Sequence, residues 1–322
     1  MGVANRAGRR VIWLAHGVVD TMVLLVVLLL ITLGCYALWD SGQVVKAADA
    51  HNYEVYEPYE EHEGHSFAEL QAMNPEVFAW LTVYGTHIDY PVEQATNNMK
   101  YISTNAEGHY SLTGGIFLDA ANRQDFTSFP SILYGHHMEK QAMFGEIGNF
   151  SDKTYFEARR YGMLYFDGQE HGLEFFAFVQ ADAYDRTVFS GDTIGVTDRE
   201  TYLALLRSRA LHTREVAVSA EDRIVLLSTC SDASTNGRDI LVAKITDEVY
   251  PNPFGDQAEA DNHPAVVDDL AGWWAQTPWW VKTMLLSLGL FLLALLVWSV
   301  VKKIRGRNQP TRLEPDPVVK QP

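Results

Sequence analysis

Two long apolar runs, 18–39 and 281–301, constrain this chain more than anything else in it. At about 1.5 Å per residue, either one as a helix is long enough to cross a hydrocarbon core roughly 30 Å thick. The first carries only Asp20, near its start. The second carries Lys282 at its outer end, where a long apolar stem lets the ammonium reach water, and Trp273, Trp274, Trp279 and Trp280 precede it as interfacial tryptophans do. Arg6, Arg9 and Arg10 flank the first run, and Lys302, Lys303, Arg305 and Arg307 flank the second. The positive-inside rule then predicts two passes, both termini cytoplasmic and the middle of the chain outside. A cleaved leader is the alternative for the first run. It would be long for one, and it ends in Ala37-Leu38-Trp39 rather than a small-x-small site.

Charge follows the same division. The formal net charge is −16, and basic tails of +3 (1–17) and +4 (302–322) leave −23 for everything between them. An acidic exterior keeps such a domain soluble and can attract a cationic partner. It excludes nucleic acid as a partner, because phosphates need a basic face. With 47% hydrophobic residues the chain can build a core, and with two cysteines it cannot be a disulfide-stapled scaffold. Residues 40–64 are glutamate-rich with little apolar periodicity and read as an acidic stalk; 251–280 reads as an extracellular linker. One domain, 65–250, lies between them.

Within that domain, Ser66-Phe67-Ala68-Glu69 forms a capping box before a short helix, and Asn74-Pro75-Glu76 reads as the start of a second. Thr197-Asp198-Arg199-Glu200 is a further capping box, before an apolar pattern at Leu203, Leu206 and Leu211. Strands are predicted at 78–83, 115–118, 131–134, 163–166, 174–183, 223–229 and 239–245, from short β-branched or aromatic runs bounded by Gly, Asp or Asn. The fold class expected is mainly β, a barrel with peripheral helices.

Cys35 falls inside the first apolar run, so Cys230 is the one cysteine of the outer domain. An unpaired thiol in an oxidising compartment is a liability unless it is used. Cys230 ends a predicted strand. A polar stretch with an Asn236-Gly237 turn signal follows, and Arg238 opens the next strand. Antiparallel pairing would set Cys230 beside Arg238, whose guanidinium favours thiolate and can donate to an oxyanion. A thiol nucleophile also needs an imidazole partner. His136 and His137, after the strand at 131–134 and Gly135, are near-equal candidates from spacing, whereas His51, His62, His65, His87, His109, His171 and His212 read as surface or loop residues. No metal-ligand spacing is present, and neither metal nor cofactor is expected.

These segments resemble a class B sortase. Leu227-Ser228-Thr229-Cys230 resembles the family's Thr-Leu-x-Thr-Cys signature, with Leu226 where Thr is usual. Tyr134-Gly135-His136 resembles the segment carrying the family's catalytic histidine, which favours His136 over His137, and Arg238 falls where the catalytic arginine lies. Phe67-Ala68-Glu69-Leu70, Asn74-Pro75-Glu76-Val77, Ile88-Asp89-Tyr90-Pro91-Val92, Gly115-Ile116-Phe117-Leu118-Asp119 and Met143-Phe144-Gly145 are similar to class B segments in class B order, and the helix at 198–211 is similar to that class's insertion.

The resemblance implies a closed eight-stranded β-barrel at 65–250, flanked by the two transmembrane helices, and a cysteine transpeptidase. Cys230 would attack the Thr carbonyl of a sorting signal, usually of Asn-Pro-x-Thr-Asn type, on a surface protein. Arg238 would stabilise the oxyanion, and His136 as imidazolium would protonate the leaving amine. A cell-wall precursor amine would then resolve the thioacyl-enzyme; the alternatives are a pilin lysine as acceptor, or simple hydrolysis by a thiol peptidase. Asn98, Ser228 and Thr229 would contact the signal peptide, and the loop after Ala183 with the helix at 198–211 would wall the groove. The second span departs from the simple class B pattern and resembles pilin-polymerising sortases. The cysteine side has Asp232 where those often have Pro, and no aspartate-aromatic lid precedes the barrel.

Overall fold

The structure is a computed structural model that describes residues 2–58, 66–189, 198–231 and 236–255, together with Lys282 and Gly289. The chain divides into two units, Met1–Val266 and Val267–Pro322. The second apolar run, 281–301, lies outside the described residues apart from Lys282 and Gly289, which are helical.

Helix α1 (Gly2–Ala47) contains the first apolar run, and its segment Ala15–Ala47 is long and apolar enough to cross a membrane. It extends well past residue 39, into the stretch that reads as a stalk from composition. Val44, Val45 and Ala47 continue the helix, and Lys46 in its last turn complements the C-terminal partial negative charge. Ala48 and Tyr53, both in that expected stalk, are instead buried in the barrel core, and the Tyr90 hydroxyl donates to the Ala48 carbonyl at 2.8 Å. A glutamate-rich composition hid these few apolar anchors.

The sheet contains β1 (Val77–Val83), β2 (Asp89–Glu93), β3 (Ile116–Leu118), β4 (Ser131–Tyr134), β5 (Tyr161–Phe166), β6 (Gln169–Asp182), β7 (Ala210–Thr213), β8 (Arg223–Cys230) and β9 (Gly237–Thr246). Its order is β5-β1-β2-β3-β4-β8-β9-β6-β7, and β5 also pairs with β6. That extra pairing closes eight strands into a barrel, and β7 adds to β6 outside the ring. Closure leaves no unpaired edge in the ring. Asp167 and Gly168, both at positive φ, make the tight β5–β6 turn, and a register shift between Phe175 and Ala177 lets the long β6 turn from one partner to the next.

Side chains alternate between two cores. Val225, Leu227, Leu241 and Ala243 face inward with Phe144, Phe150 and Phe175. Ile224, Leu226, Ile240 and Val242 face outward under the helix Arg199–Arg209, which contributes Tyr202, Leu203 and Leu206.

Several local expectations change. Ser66 does cap α2 (Phe67–Met73), accepting from the Glu69 N–H. Asn74, however, ends α2 and opens no second helix. Its carboxamide accepts from the Glu76 N–H and donates to the Tyr101 hydroxyl and the Ala106 carbonyl, and the β-prone run from Val77 goes directly into β1. The capping box read at 197–200 turns on Thr197, which lies outside the described residues; the helix starts after Asp198, whose side chain makes no cap, and Glu200 accepts from the Ala220 N–H. Leu211, expected on the helix, lies in β7 and is exposed. His171, expected at the surface, is buried and stacked on Phe166 at 4.2 Å between centroids.

At the end of β2, Glu93 is 0% exposed, and neither carboxylate oxygen has a hydrogen-bond partner among the described residues. Burial pushes its carboxyl well above the usual range. A carboxyl raised on folding contributes stability below its unfolded value, about pH 4.5, and that contribution is lost as pH rises towards the folded value. Glu93→Gln is therefore expected to raise stability near pH 8 by about 1–3 kcal/mol and to leave it nearly unchanged near pH 4. Thermal melts of both proteins across that range check this; parallel curves would refute it.

Candidate active site

Strand pairing places the proposed groups. In the β8–β9 ladder Cys230 is directly opposite Arg238, which puts their Cα atoms about 5 Å apart. Both belong to the outward-facing row, because they continue the alternation of Ile224, Leu226 and Ser228 on β8 and of Val242 and Ile240 on β9. Cys230 is exposed at the strand end. The Arg238 guanidinium is half-buried and donates to the Gly237 carbonyl at 3.1 Å, which holds it near the ladder.

The histidine comes from the neighbouring strand. β4 runs parallel to β8 with Tyr134 opposite Ser228, and the Gly135 N–H donates to the Ser228 carbonyl. Two residues further along each chain, in the same direction, lie His136 and Cys230. Parallel strands about 4.8 Å apart thus release an imidazole and a thiol at the same end of the sheet.

The glycines around His136 have steric causes. A Cβ on Gly135 would come within 2.8 Å of the Phe144 ring. Gly114, at φ +62°, lies under the imidazole, and a Cβ there would approach His136 Cδ2 to 3.1 Å. The His136 Nε2 is 2.9 Å from the Ile102 carbonyl. That oxygen only accepts, so Nε2 carries a proton and Nδ1 is left for exchange. His137 goes elsewhere: its backbone bridges to Met143, and its side chain lines a different groove.

Of the residues expected to contact a peptide, Asn98 is tied into a hydrogen-bonded chain. Asn98 donates to Asp119 Oδ2 at 2.9 Å and accepts from the Ala120 N–H at 2.7 Å, so its carboxamide is oriented by the loop after β3. Asp119 Oδ2 also accepts from the Tyr134 hydroxyl, and Tyr134 lies across from Ser228. Burial and then Asp119 raise the Tyr134 phenol, with Arg238 opposing them, so this network reaches the guanidinium's field. Ser228 and Thr229 are buried, and neither hydroxyl makes a hydrogen bond among the described residues. Thr229 takes the inward-facing row and so leaves the face that Cys230 occupies.

Some contributors are not singled out by residue type. The Ile102 carbonyl that fixes the imidazole is a backbone group, invisible to motif reading. Asp119 closes the segment Gly115-Ile116-Phe117-Leu118-Asp119 but acquires a role only once Asn98 and Tyr134 are folded against it. Together the site offers an exposed thiol, a guanidinium across one ladder pair, an imidazole with one free nitrogen, and a polar wall leading away from them. Such a set suits thiolate attack on a carbonyl, with a fixed donor for the oxyanion and a proton source for the leaving group.

No family model matches the chain. It is 31% identical over 182 residues to sortase B of Listeria monocytogenes, covering 55% of this chain and 72% of that protein. Among solved structures it is similar to sortase B from the type II pilus of Streptococcus pneumoniae (46% identity, TM-score 0.50, 56% of this chain and 99% of that one). A second is a Streptococcus pyogenes class B sortase involved in pilus biogenesis (38% identity, TM-score 0.52, 57% of this chain and all of that one). The similarity extends over most of the length of each relative, so the chain belongs to the class B sortases.

Proposed function

We propose that this chain is a membrane-anchored cysteine transpeptidase that cleaves a C-terminal sorting signal after Thr and passes the acyl group to an amine. The observation that carries this reading is the pairing of Cys230 with Arg238 beside the strand that ends at His136. The Cys230 thiolate attacks the Thr carbonyl. Arg238 donates to the oxyanion, the His136 imidazolium gives its proton to the departing amine, and a thioacyl-enzyme remains. An incoming amine then forms the new amide and releases the thiolate. Asn98, already oriented by Asp119, and Ser228, on the same row of β8 as Cys230, bind the signal, whereas Thr229 faces the barrel interior and takes no part in it. α1 and the run at 281–301 anchor the chain in two passes with both ends cytoplasmic and the barrel outside.

A cell-wall precursor amine is the first acceptor. A pilin lysine is the second, and it is favoured by the 46% identity to a sortase B from a type II pilus and the 38% identity to a class B sortase involved in pilus biogenesis. The test uses the full chain in detergent micelles with a peptide of Asn-Pro-x-Thr-Asn type. The expected results are a covalent mass increase at Cys230 equal to the acyl fragment, and an amide product when an amine is added. Cleavage without any amide product would leave only a thiol peptidase; no adduct and no cleavage would refute the reading.

A further inference from the structure

A transpeptidase with one nucleophile needs a second place, beside the thioester, where the acceptor amine is received. Each proposed catalytic residue is followed in sequence by one that faces elsewhere: His136 by His137, Cys230 by Ser231 and Arg238 by Asp239. All three successors line the same groove, about 460 Å³ in volume, which also includes Lys140, Ser151 and Gln180. Strand alternation causes this. Thr229 and Asp239 form the next ladder pair below Cys230 and Arg238 and continue the inward row of Leu227 and Leu241. The groove therefore opens at the mouth of the barrel, on the opposite face of the same strand ends from the peptide wall.

Asp239 is the distinctive group in it. It is 4% exposed, although aspartate is rarely buried without a partner that neutralises it. Its Oδ1 accepts from Gln180 Nε2 at 2.9 Å, a neutral amide that orients the carboxylate without cancelling its charge. Its Oδ2 lies beside Gly148, where a Cβ would stand 3.3 Å away, and both residues line the groove. Among the described residues that line the groove, Lys140 is the one lysine or arginine, and it is exposed.

We infer that this groove is the acceptor site, and that Asp239 receives the primary ammonium of the incoming nucleophile before it is deprotonated. The inference rests on the transpeptidase reading and deepens it. The proton balance closes. Acyl-enzyme formation leaves His136 neutral, because its proton has gone to the first leaving amine. The bound ammonium gives one proton to His136, and its nitrogen lone pair attacks the thioester carbonyl. The tetrahedral nitrogen gives its second proton to water, the C–S bond breaks, and the new amide leaves behind the thiolate and imidazolium that began the cycle. The ligand class is a cationic primary amine, the chemistry shared by a lysine side chain and a cell-wall cross-bridge amine.

The test partitions one acyl-enzyme between two nucleophiles in the full-length protein: Nα-acetyl-lysine amide, a cation near neutral pH, and hydroxylamine, mostly uncharged there. In Asp239→Asn the ratio of lysine product to hydroxamate is expected to fall about tenfold, as when a charged hydrogen bond is lost. Ser151→Lys, an exposed substitution that adds a cation to the groove, is expected to lower the same ratio and serves if Asp239→Asn does not fold. Triglycine amide in place of the lysine compound separates the two acceptor sources. A fall confined to lysine points to a pilin-type acceptor; a fall for both points to any ammonium. A ratio unchanged in both variants overturns the inference. Absence of acyl-enzyme in the unmodified protein refutes instead the transpeptidase reading.

Discussion

Alanine at Cys230 eliminates the peptide adduct and lowers signal cleavage by about 10⁴-fold or more, as expected when the only nucleophile of a covalent mechanism is removed. Cys35, the other cysteine, belongs to α1 and offers no substitute thiol at the barrel. The loss reports chemistry rather than unfolding, because Cys230 is exposed at the end of β8 and fills no core position. Surface substitutions of this kind change stability by about 0.5 kcal/mol or less. The measurement pairs intact-protein mass spectrometry after incubation with the signal peptide and a thermal melt. Residual turnover at the unmodified rate, with the fold retained, would remove Cys230 from the mechanism and with it the covalent scheme.

The second large effect separates two adjacent histidines. His136→Ala is expected to reduce acyl-enzyme formation by about 10²–10⁴-fold, the usual contribution of a positioned general acid. His137→Ala is expected to lose at least about tenfold less, and to lose it in the amine-dependent step, because its side chain lines the acceptor groove. Geometry motivates the asymmetry. His136 is fixed by the Ile102 carbonyl, seated over Gly114 and carried on the strand beside Cys230. Added imidazole should partly restore His136→Ala, which a merely structural role would not allow. Single-turnover acylation followed by mass spectrometry gives both rates. Equal losses in the two variants would contradict the assignment.

Much of the site was legible because it depends on local order along two strands. A strand ending at Cys230, a turn at Asn236-Gly237 and a strand opening at Arg238 can pair in few ways, and the ladder gives the expected partner. The choice of His136 over His137 was not legible from spacing. It depends on β4 lying parallel to β8, a contact between segments some ninety residues apart in sequence. Asn74 misled because Asn-Pro-Glu satisfies a helix-start rule that tertiary hydrogen bonds to Tyr101 and Ala106 override. β2 does not read as a strand from its residues because Asp89 and Pro91 break its apolar pattern, yet Asp89 is used there as an acceptor for Trp80 and Thr82. The buried carboxyls, Glu93 and Asp239, were invisible for a common reason: a charged residue in a strand reads as solvent-facing until the barrel closes around it.

The way α1 meets the barrel has a mechanical consequence. The helix ends at Ala47, and the next residue is already held by the Tyr90 hydroxyl, with Tyr53 packed into the core shortly after. Under the proposed anchoring this is a stiff post and not a leash. A flexible tether lets an enzyme sample a volume, and its encounter rate follows the linker's length. A post instead fixes the height and tilt at which Cys230 meets its clients, so a donor held in the same bilayer is selected by how far its cleavage point stands above the lipid surface. For such an enzyme, the spacing between a client's scissile bond and its own membrane span becomes part of the recognition code.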